Sequence, residues 1–263
     1  MSRHAFFAST RPLVFAHRGG SALAPENTLA AFDRAVTLGA DGLELDVHLS
    51  RDGVVVVHHD LTLDRTTDLQ GEVARKSAQE LSKADAGYAF LPAHGFPFRA
   101  RGVYVPTLAE VLGRYPDRRV IVESKVNTAA MADALVDTIR AAGAVDRVCV
   151  GSFGAHVLRV VRKLEPALAT SAAREEVRWA LYRSWVRWPV AHAAYDGYQV
   201  PEWAGRTRVI SPRFVADAHR AGLGVQVWTV DTLEEARRLL SWGVDALITD
   251  RPDLIVEALR AQA

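Results

Sequence analysis

Short apolar runs rich in Val, Ile and Leu recur along the chain and alternate with stretches of helical period. The runs are Leu13–Ala16, Gly42–Leu49, Val54–Val57, Val120–Val122, Val148–Val150, Ala167–Thr170, Gly197–Val200, Val225–Val230 and Ala246–Ile248. Amphipathic segments follow most of them, at Thr28–Leu38, Leu108–Tyr115, Ala129–Ala142, Ala155–Leu164, Pro212–Ala221 and Leu233–Trp242. A run that is apolar on both faces and leads into a helix reads as a buried parallel strand. This rhythm predicts an α/β fold, a (β/α)8 TIM barrel formed by residues 1–263 as one domain. A doubly wound sheet ranks second, because its Gly-x-Gly-x-x-Gly turn is missing.

One pair of strands breaks the rhythm. Gly42–Leu49 and Val54–His59 are joined only by Ser50-Arg51-Asp52-Gly53, too short for a crossover helix. Asp-Gly between two β-rich runs predicts a hairpin, since both residues tolerate positive φ. A two-residue turn at Asp52-Gly53 pairs Arg51 with Val54 and therefore Asp46 with His59; a slip by one residue would bring His58 there instead. The stretch 69–105 mixes Gly, Pro, aromatics and charges without a clean period, and is expected to form a long loop or small inserted lobe at one end of the barrel.

Barrel enzymes carry their chemistry at the C-terminal ends of strands, so the polar residues there are the candidates. The first strand ends in His17 and Arg18, the second carries Glu44, Asp46 and His48 on one face, and the hairpin returns in His58-His59-Asp60. The strand at Val120–Val122 runs on into Glu123 and Lys125, and the late strands end near Trp228 and Asp250. Three carboxylates, Glu44, Asp46 and Glu123, cannot all ionise in one cavity without a cation, and an all-oxygen set suits Ca²⁺ or Mg²⁺. Arg18 and Lys125 are suited to an anionic group such as phosphate. Two histidines with ordinary pKa values of about 6.5 supply an acid and a base. Together these groups describe a phosphodiester-cleaving site. Asp250 is expected behind the site rather than in it, and Pro25–Thr28 as a helix start capped by Asn27 or Thr28.

Composition removes several alternatives. Lys and Arg number 32 against 31 Asp and Glu, a net charge of +1 that argues against general nucleic-acid binding. A single cysteine, Cys149, excludes an intrachain disulfide and a cysteine-rich zinc site. No run approaches the roughly 20 apolar residues of a spanning helix, and with no signal-peptide pattern the expectation is a cytoplasmic protein. The segment Arg174–Pro189 sets Trp179, Trp185 and Trp188 among Arg174, Arg178, Arg183 and Arg187. It is expected to be an outer helix with its tryptophans packed inward, which disfavours peripheral membrane contact.

Six segments carry a family resemblance: AHRGGSALAPENTLAAF (16–32), GADGLELDVHLSRDGVVVVHHDLTLDRTTD (39–68), VPTLAEVL (105–112), VIVESK (120–125), VWTVD (227–231) and GVDALITDRPD (243–253). In this order they closely resemble the glycerophosphodiester phosphodiesterase family. The resemblance implies a (β/α)8 barrel that hydrolyses small-molecule glycerophosphodiesters to sn-glycerol 3-phosphate and an alcohol. It further implies one divalent cation, Ca²⁺, Mg²⁺ or Mn²⁺, held by Glu44, Asp46 and Glu123, with His17 and His59 as the acid–base pair. Arg18 and Lys125 would contact the phosphate, and Trp228 is expected to line the substrate. The family's His-Asp pair matches His59-Asp60, in agreement with the hairpin register above. A lysophospholipase D or sphingomyelinase-D-like relative acting on a lipid headgroup and a non-catalytic phosphodiester-binding barrel are the alternatives. The preferred alcohol, the order in which the histidines act, passage through a cyclic phosphate and the oligomeric state stay open at this level.

Overall fold

A computed structural model describes residues 4–186, 188 and 193–260. Its strands are β1 (Leu13–Ala16), β2 (Gly42–Leu49), β3 (Val55–Val57), β4 (Arg119–Ser124), β5 (Val148–Gly151), β6 (Ala169–Thr170), β7 (Gly197–Pro201), β8 (Trp203–Ala204), β9 (Thr207–Arg208), β10 (Gly224–Trp228) and β11 (Ala246–Thr249). The helices are α1 (Leu29–Leu38), α2 (Ala78–Leu81), α3 (Leu108–Arg114), α4 (Ala129–Ala141), α5 (Ala155–Leu164), α6 (Arg174–Val186), α7 (Pro212–Arg220), α8 (Leu233–Ser241) and α9 (Pro252–Arg260). Eight parallel strands follow one another in the order β6-β5-β4-β2-β1-β11-β10-β7. A parallel bridge between Ser171 and Gly197 brings the two ends together, giving a nearly closed barrel. This is the predicted (β/α)8 architecture.

Each strand alternates between barrel interior and outer shell, as the period of two requires. Phe15, Ile121, Cys149, Ala246 and Ile248 point inward into one apolar cluster with Phe6 and Phe7. Leu43, Leu45, Val47, Val120 and Val122 point outward and pack beneath the helices. A single 3-10 turn at Ala5–Phe7 inserts its two rings into that interior cluster. The strand residues facing Phe7 are glycines because nothing larger fits: a Cβ on Gly197 or Gly224 would stand 2.5 or 2.4 Å from its ring. With apolar side chains filling the interior, polar ones are left for the strands' C-terminal ends.

The hairpin register differs from the expected one. Val47 pairs with Val57 and Leu49 with Val55, and Ser50 N–H donates to Val54 O at 2.9 Å. Arg51, Asp52 and Gly53 thus form a three-residue turn, closed by a 3.0 Å bond from Gly53 N–H to Ser50 O with Gly53 at φ +78°. His58, not His59, sits opposite Asp46, to whose carbonyl its N–H donates at 2.9 Å. β3 ends at Val57, and the chain turns before His59. His48 Nε2 lies 3.1 Å from His59 O and His58 Nε2 lies 3.0 Å from Thr62 O. His59 therefore reaches the barrel mouth by a loop bend, not by ladder register. The stretch that follows packs Leu63, Val73, Leu81, Ala84, Ala86 and Val105 against Val56 of β3 as a small separate core.

Candidate active site

A cavity of about 140 Å³ at the C-terminal ends of the strands is lined by His17, Arg18, Glu44, Asp46, His59, Glu123, Lys125 and Trp228, with Phe153, Gln199, Ile121 and Ile248. Every residue proposed for the site from sequence is present in it. Glu44 and Asp46 stand on the inward face of β2, and the parallel register places Glu123 beside Asp46. One oxygen of each carboxylate lies within 4.8 Å of the others. Lys125 Nζ bridges Asp46 at 2.8 Å and Glu123 at 2.5 Å. Arg18, in a left-handed conformation just past β1, directs its N–H to Glu44 at 2.9 Å and brings its Nε within 3.2 Å of Asp46, without hydrogen-bond alignment.

Burial and the neighbouring Asp46 charge push the Glu44 carboxyl well above the usual range, with His17 only partly opposing them. Burial also penalises charge on Asp46, but Lys125 and Arg18 hold its carboxyl below the usual range. Burial disfavours an imidazolium at His17, yet Glu44 and Asp250 outweigh it and raise the ring to about 9. A cluster in which one carboxyl is driven toward its neutral form is short of positive charge. Its oxygen donors fit a hard divalent cation.

The two histidines are held alike. His17 Nδ1 lies 2.7 Å from Asp250, which also accepts from Ser21 Oγ at 2.6 Å. His59 Nδ1 lies 2.6 Å from Asp60, and Asp60 is gripped by Arg65 Nε at 2.6 Å. Arg65 in turn binds Glu26 through two bonds of 2.8 and 2.7 Å, and Glu26 reaches Arg18 at 3.1 Å. With Nδ1 of each ring committed to a carboxylate, Nε2 is the nitrogen left for a ligand in the cavity. Asp250 stands behind His17, as expected.

The sequence model of the glycerophosphoryl diester phosphodiesterase family matches residues 17–254. The chain belongs to this family. It is 35% identical to a glycerophosphodiester phosphodiesterase of Caldanaerobacter subterraneus, over 95% of this chain and 98% of that one. It is 31% identical to a glycerophosphodiester phosphodiesterase of Bacillus altitudinis, over 93% of this chain and 96% of the relative. Among solved structures it resembles an Oleispira antarctica phosphodiesterase in complex with the product sn-glycerol-3-phosphate. That likeness has a TM-score of 0.77 at 28% identity and covers 95% of this chain and 97% of the other.

Several residues of this family member escaped the sequence reading. Asn27 is not the helix cap; Thr28 is, accepting from Ala31 N–H at 3.3 Å. Asn27 instead sits buried at φ +58° and clasps Asp46, donating from Nδ2 to its carboxylate at 2.9 Å and accepting its N–H at 3.1 Å. An Asn before a capping Thr, beside the His-Arg-Gly-Gly turn, is the one local signal for this role. A larger apolar cleft of about 660 Å³ adjoins the charged cavity and shares Glu123, Phe153, Gln199 and Trp228 with it. α6 and the β7–β9 region form its walls, through Val177, Leu181, Tyr182, Trp185, Val200, Pro201 and Trp203. Among the described residues neither cavity is lined by the 69–105 stretch, whose rings pack on one another, Phe90 and Phe98 edge-to-face at 5.4 Å.

The expectation for Arg174–Pro189 is corrected. Its inward stripe on α6 is Val177, Ala180, Leu181 and Ser184, so Trp179 and Trp185 fall on other faces and are 67% and 55% exposed. Trp188, just past the helix, is 70% exposed, while Arg187 and Pro189 lie outside the described residues.

Proposed function

We propose that the protein hydrolyses glycerophosphodiesters to sn-glycerol 3-phosphate and an alcohol, with His17 and His59 as the acid–base pair and Glu44, Asp46 and Glu123 as ligands of one divalent cation. The observation that carries the reading is the pairing of two carboxylate-held histidines with this cluster in one cavity. Binding alone requires no acid–base pair, which disfavours the non-catalytic barrel. Arg18 and Lys125 fix the phosphate and offset charge gathering on its oxygens. One histidine takes the proton of the attacking hydroxyl, from water or the neighbouring glycerol hydroxyl. As the bond from phosphorus to the alcohol oxygen breaks, the other histidine gives its proton to that oxygen; where the glycerol hydroxyl is the attacker, water then opens the resulting cyclic phosphate to sn-glycerol 3-phosphate, with the two histidines exchanging roles. A bound Ca²⁺, Mg²⁺ or Mn²⁺ would add Lewis-acid stabilisation of the phosphoryl oxygens. The relative crystallised with sn-glycerol-3-phosphate supports this product class.

The test is release of sn-glycerol 3-phosphate from glycerophosphocholine by chelator-treated protein, before and after each metal is added. Turnover is expected only with metal, and His17→Ala and His59→Ala are each expected to lower it by roughly 10²–10⁴-fold without unfolding the chain. Full turnover in the chelator would remove the cation, and more than about a tenth of wild-type turnover in either variant would remove that histidine. The apolar cleft favours a second reading, hydrolysis of a phosphodiester with a lipid-sized substituent, in the manner of a lysophospholipase D or sphingomyelinase D.

A further inference from the structure

Three candidates lie outside the groups already given a role. Gln199, half-buried and joined at 2.9 Å to the buried Gln226, lines both cavities already described. A hollow between the β2–β3 turn and α4 is lined mainly by small side chains and offers a ligand little beyond Asp133 and Asp137. The exposed face of α6 carries more.

Trp179, Tyr182 and Trp185 form an outward aromatic stripe along α6, stacked edge-to-face at 6.3 and 5.5 Å between ring centres. Trp188, just past the helix, is 70% exposed, and Trp203 stands 52% exposed on the neighbouring hairpin, where it lines the same cleft as Tyr182 and Trp185. Exposed large aromatics in this number are unusual on a surface that faces only water. Arg174, Arg178 and Arg183 are interleaved with them, exposed and without an ion pair among the described residues. Glu176 is occupied by Arg162 at 2.7 Å, which leaves Glu175 as the helix's other acidic group. Tryptophan and tyrosine have an apolar body and a polar edge suited to the boundary between headgroups and acyl chains, and arginine pairs with phosphate.

We propose that this face docks the protein on an anionic lipid surface, with the mouth of the apolar cleft turned toward the bilayer. Charge decides between a membrane and a second copy of the chain. An isologous contact would set the arginines of the two copies against each other, whereas anionic headgroups complement them. The cleft continues from this face to the charged cavity, so a docked molecule would meet amphiphilic phosphodiesters without their leaving the interface. Docking itself does not depend on the hydrolytic reading, and its test reads binding rather than turnover.

The test is sedimentation of the full chain with phosphatidylcholine vesicles, with and without phosphatidylglycerol, at low and high salt. Binding is expected to the phosphatidylglycerol vesicles at low salt and to be lost at high salt. Trp179→Ser with Trp188→Ser should cut the vesicle-to-free partition by at least about ten-fold, because two of the large rings that would enter the interface are gone. Arg183→Gln should cut it by about five-fold. None of these side chains lines either cavity, so glycerophosphocholine turnover and the thermal midpoint should match wild type and report intact folding. No sedimentation at low salt, equal binding to neutral vesicles, or variants that bind as well as wild type would each overturn the proposal. So would a dimer in solution that Trp179→Ser dissolves, since that assigns the face to self-association.

Discussion

Asp46 is held from three sides, by Lys125 at 2.8 Å, by the Arg18 guanidinium at 3.2 Å and by the Asn27 amide at 2.9 Å. The two cations touch only its carboxylate, whereas Asn27 ties down both the carboxylate and the Asp46 N–H. Asn27→Gly keeps the φ +58° backbone and deletes both bonds, which should cost roughly 1–3 kcal/mol. Asn27→Ala should cost about 1–2 kcal/mol more, because a Cβ strains that conformation. Urea unfolding of both variants separates the terms; equal losses would mean the backbone is unstrained. Glu26 supplies a pH signature. Burial raises its carboxyl, but Arg65 and Arg18 more than reverse this and leave it below its ordinary 4.5. A depressed folded value means stability present above pH 4.5 and lost as pH falls through the folded value. Thermal midpoints of Glu26→Gln should therefore fall less steeply than wild type as pH drops below the ordinary 4.5; parallel curves would deny Glu26 that role. The sequence exposed Glu44, Asp46 and Glu123 because alternation puts them on one face opposite Leu43, Leu45 and Val47. It could not expose the Glu26–Arg65–Asp60 chain, whose members meet only once the loop after β3 has folded.

At the scale of elements, the lesson of the β2–β3 hairpin is that turn length decides register. Asp-Gly was legible as a turn, but whether two or three residues form it depends on Ser50, whose Oγ accepts from Val54 N–H at 2.9 Å and donates to Asp52 at 2.6 Å. Those local bonds favour the longer turn and move His58 opposite Asp46. The family motif still pointed to His59, for a reason that the ladder does not supply. The interior plug at the other end is a purely steric device. Phe7→Ala should destabilise by roughly 3–5 kcal/mol, as a buried ring is lost. Gly224→Ala should cost roughly 1–3 kcal/mol, because its Cβ meets the same ring. In the double variant the added methyl enters space the ring has vacated, so the combined loss should be well short of the sum. Additive losses in denaturant unfolding would show that Gly224 is small for some other reason.

For the whole molecule, the strand–helix rhythm was enough to predict the barrel, since each strand's two apolar faces and each helix's stripe are written locally. The large cleft was not legible. Its walls come from α6, from β7 and from the β8–β9 hairpin, which is two residues per strand and leaves no periodic trace. The assembled shape suggests a division of labour, with a charged cavity of about 140 Å³ for the phosphodiester and a cleft of about 660 Å³ for whatever the phosphodiester carries. Choline or ethanolamine fills little of that cleft, whereas a single acyl chain could bury most of its length there. The division can be tested by filling the cleft from its rim. Ala204 and Thr207 line it on β8 and β9 and are exposed, so Ala204→Trp and Thr207→Trp narrow it without repacking the core. Wild type should cleave both glycerophosphocholine and lysophosphatidylcholine. Each variant should leave kcat/KM for the first unchanged and lower it for the second by about ten-fold or more, the loss expected when roughly two methylenes no longer find apolar cover. A parallel fall for both substrates would place the cleft's influence on the charged cavity itself. A wild-type protein inert toward lysophosphatidylcholine would confine the chemistry to the small diesters.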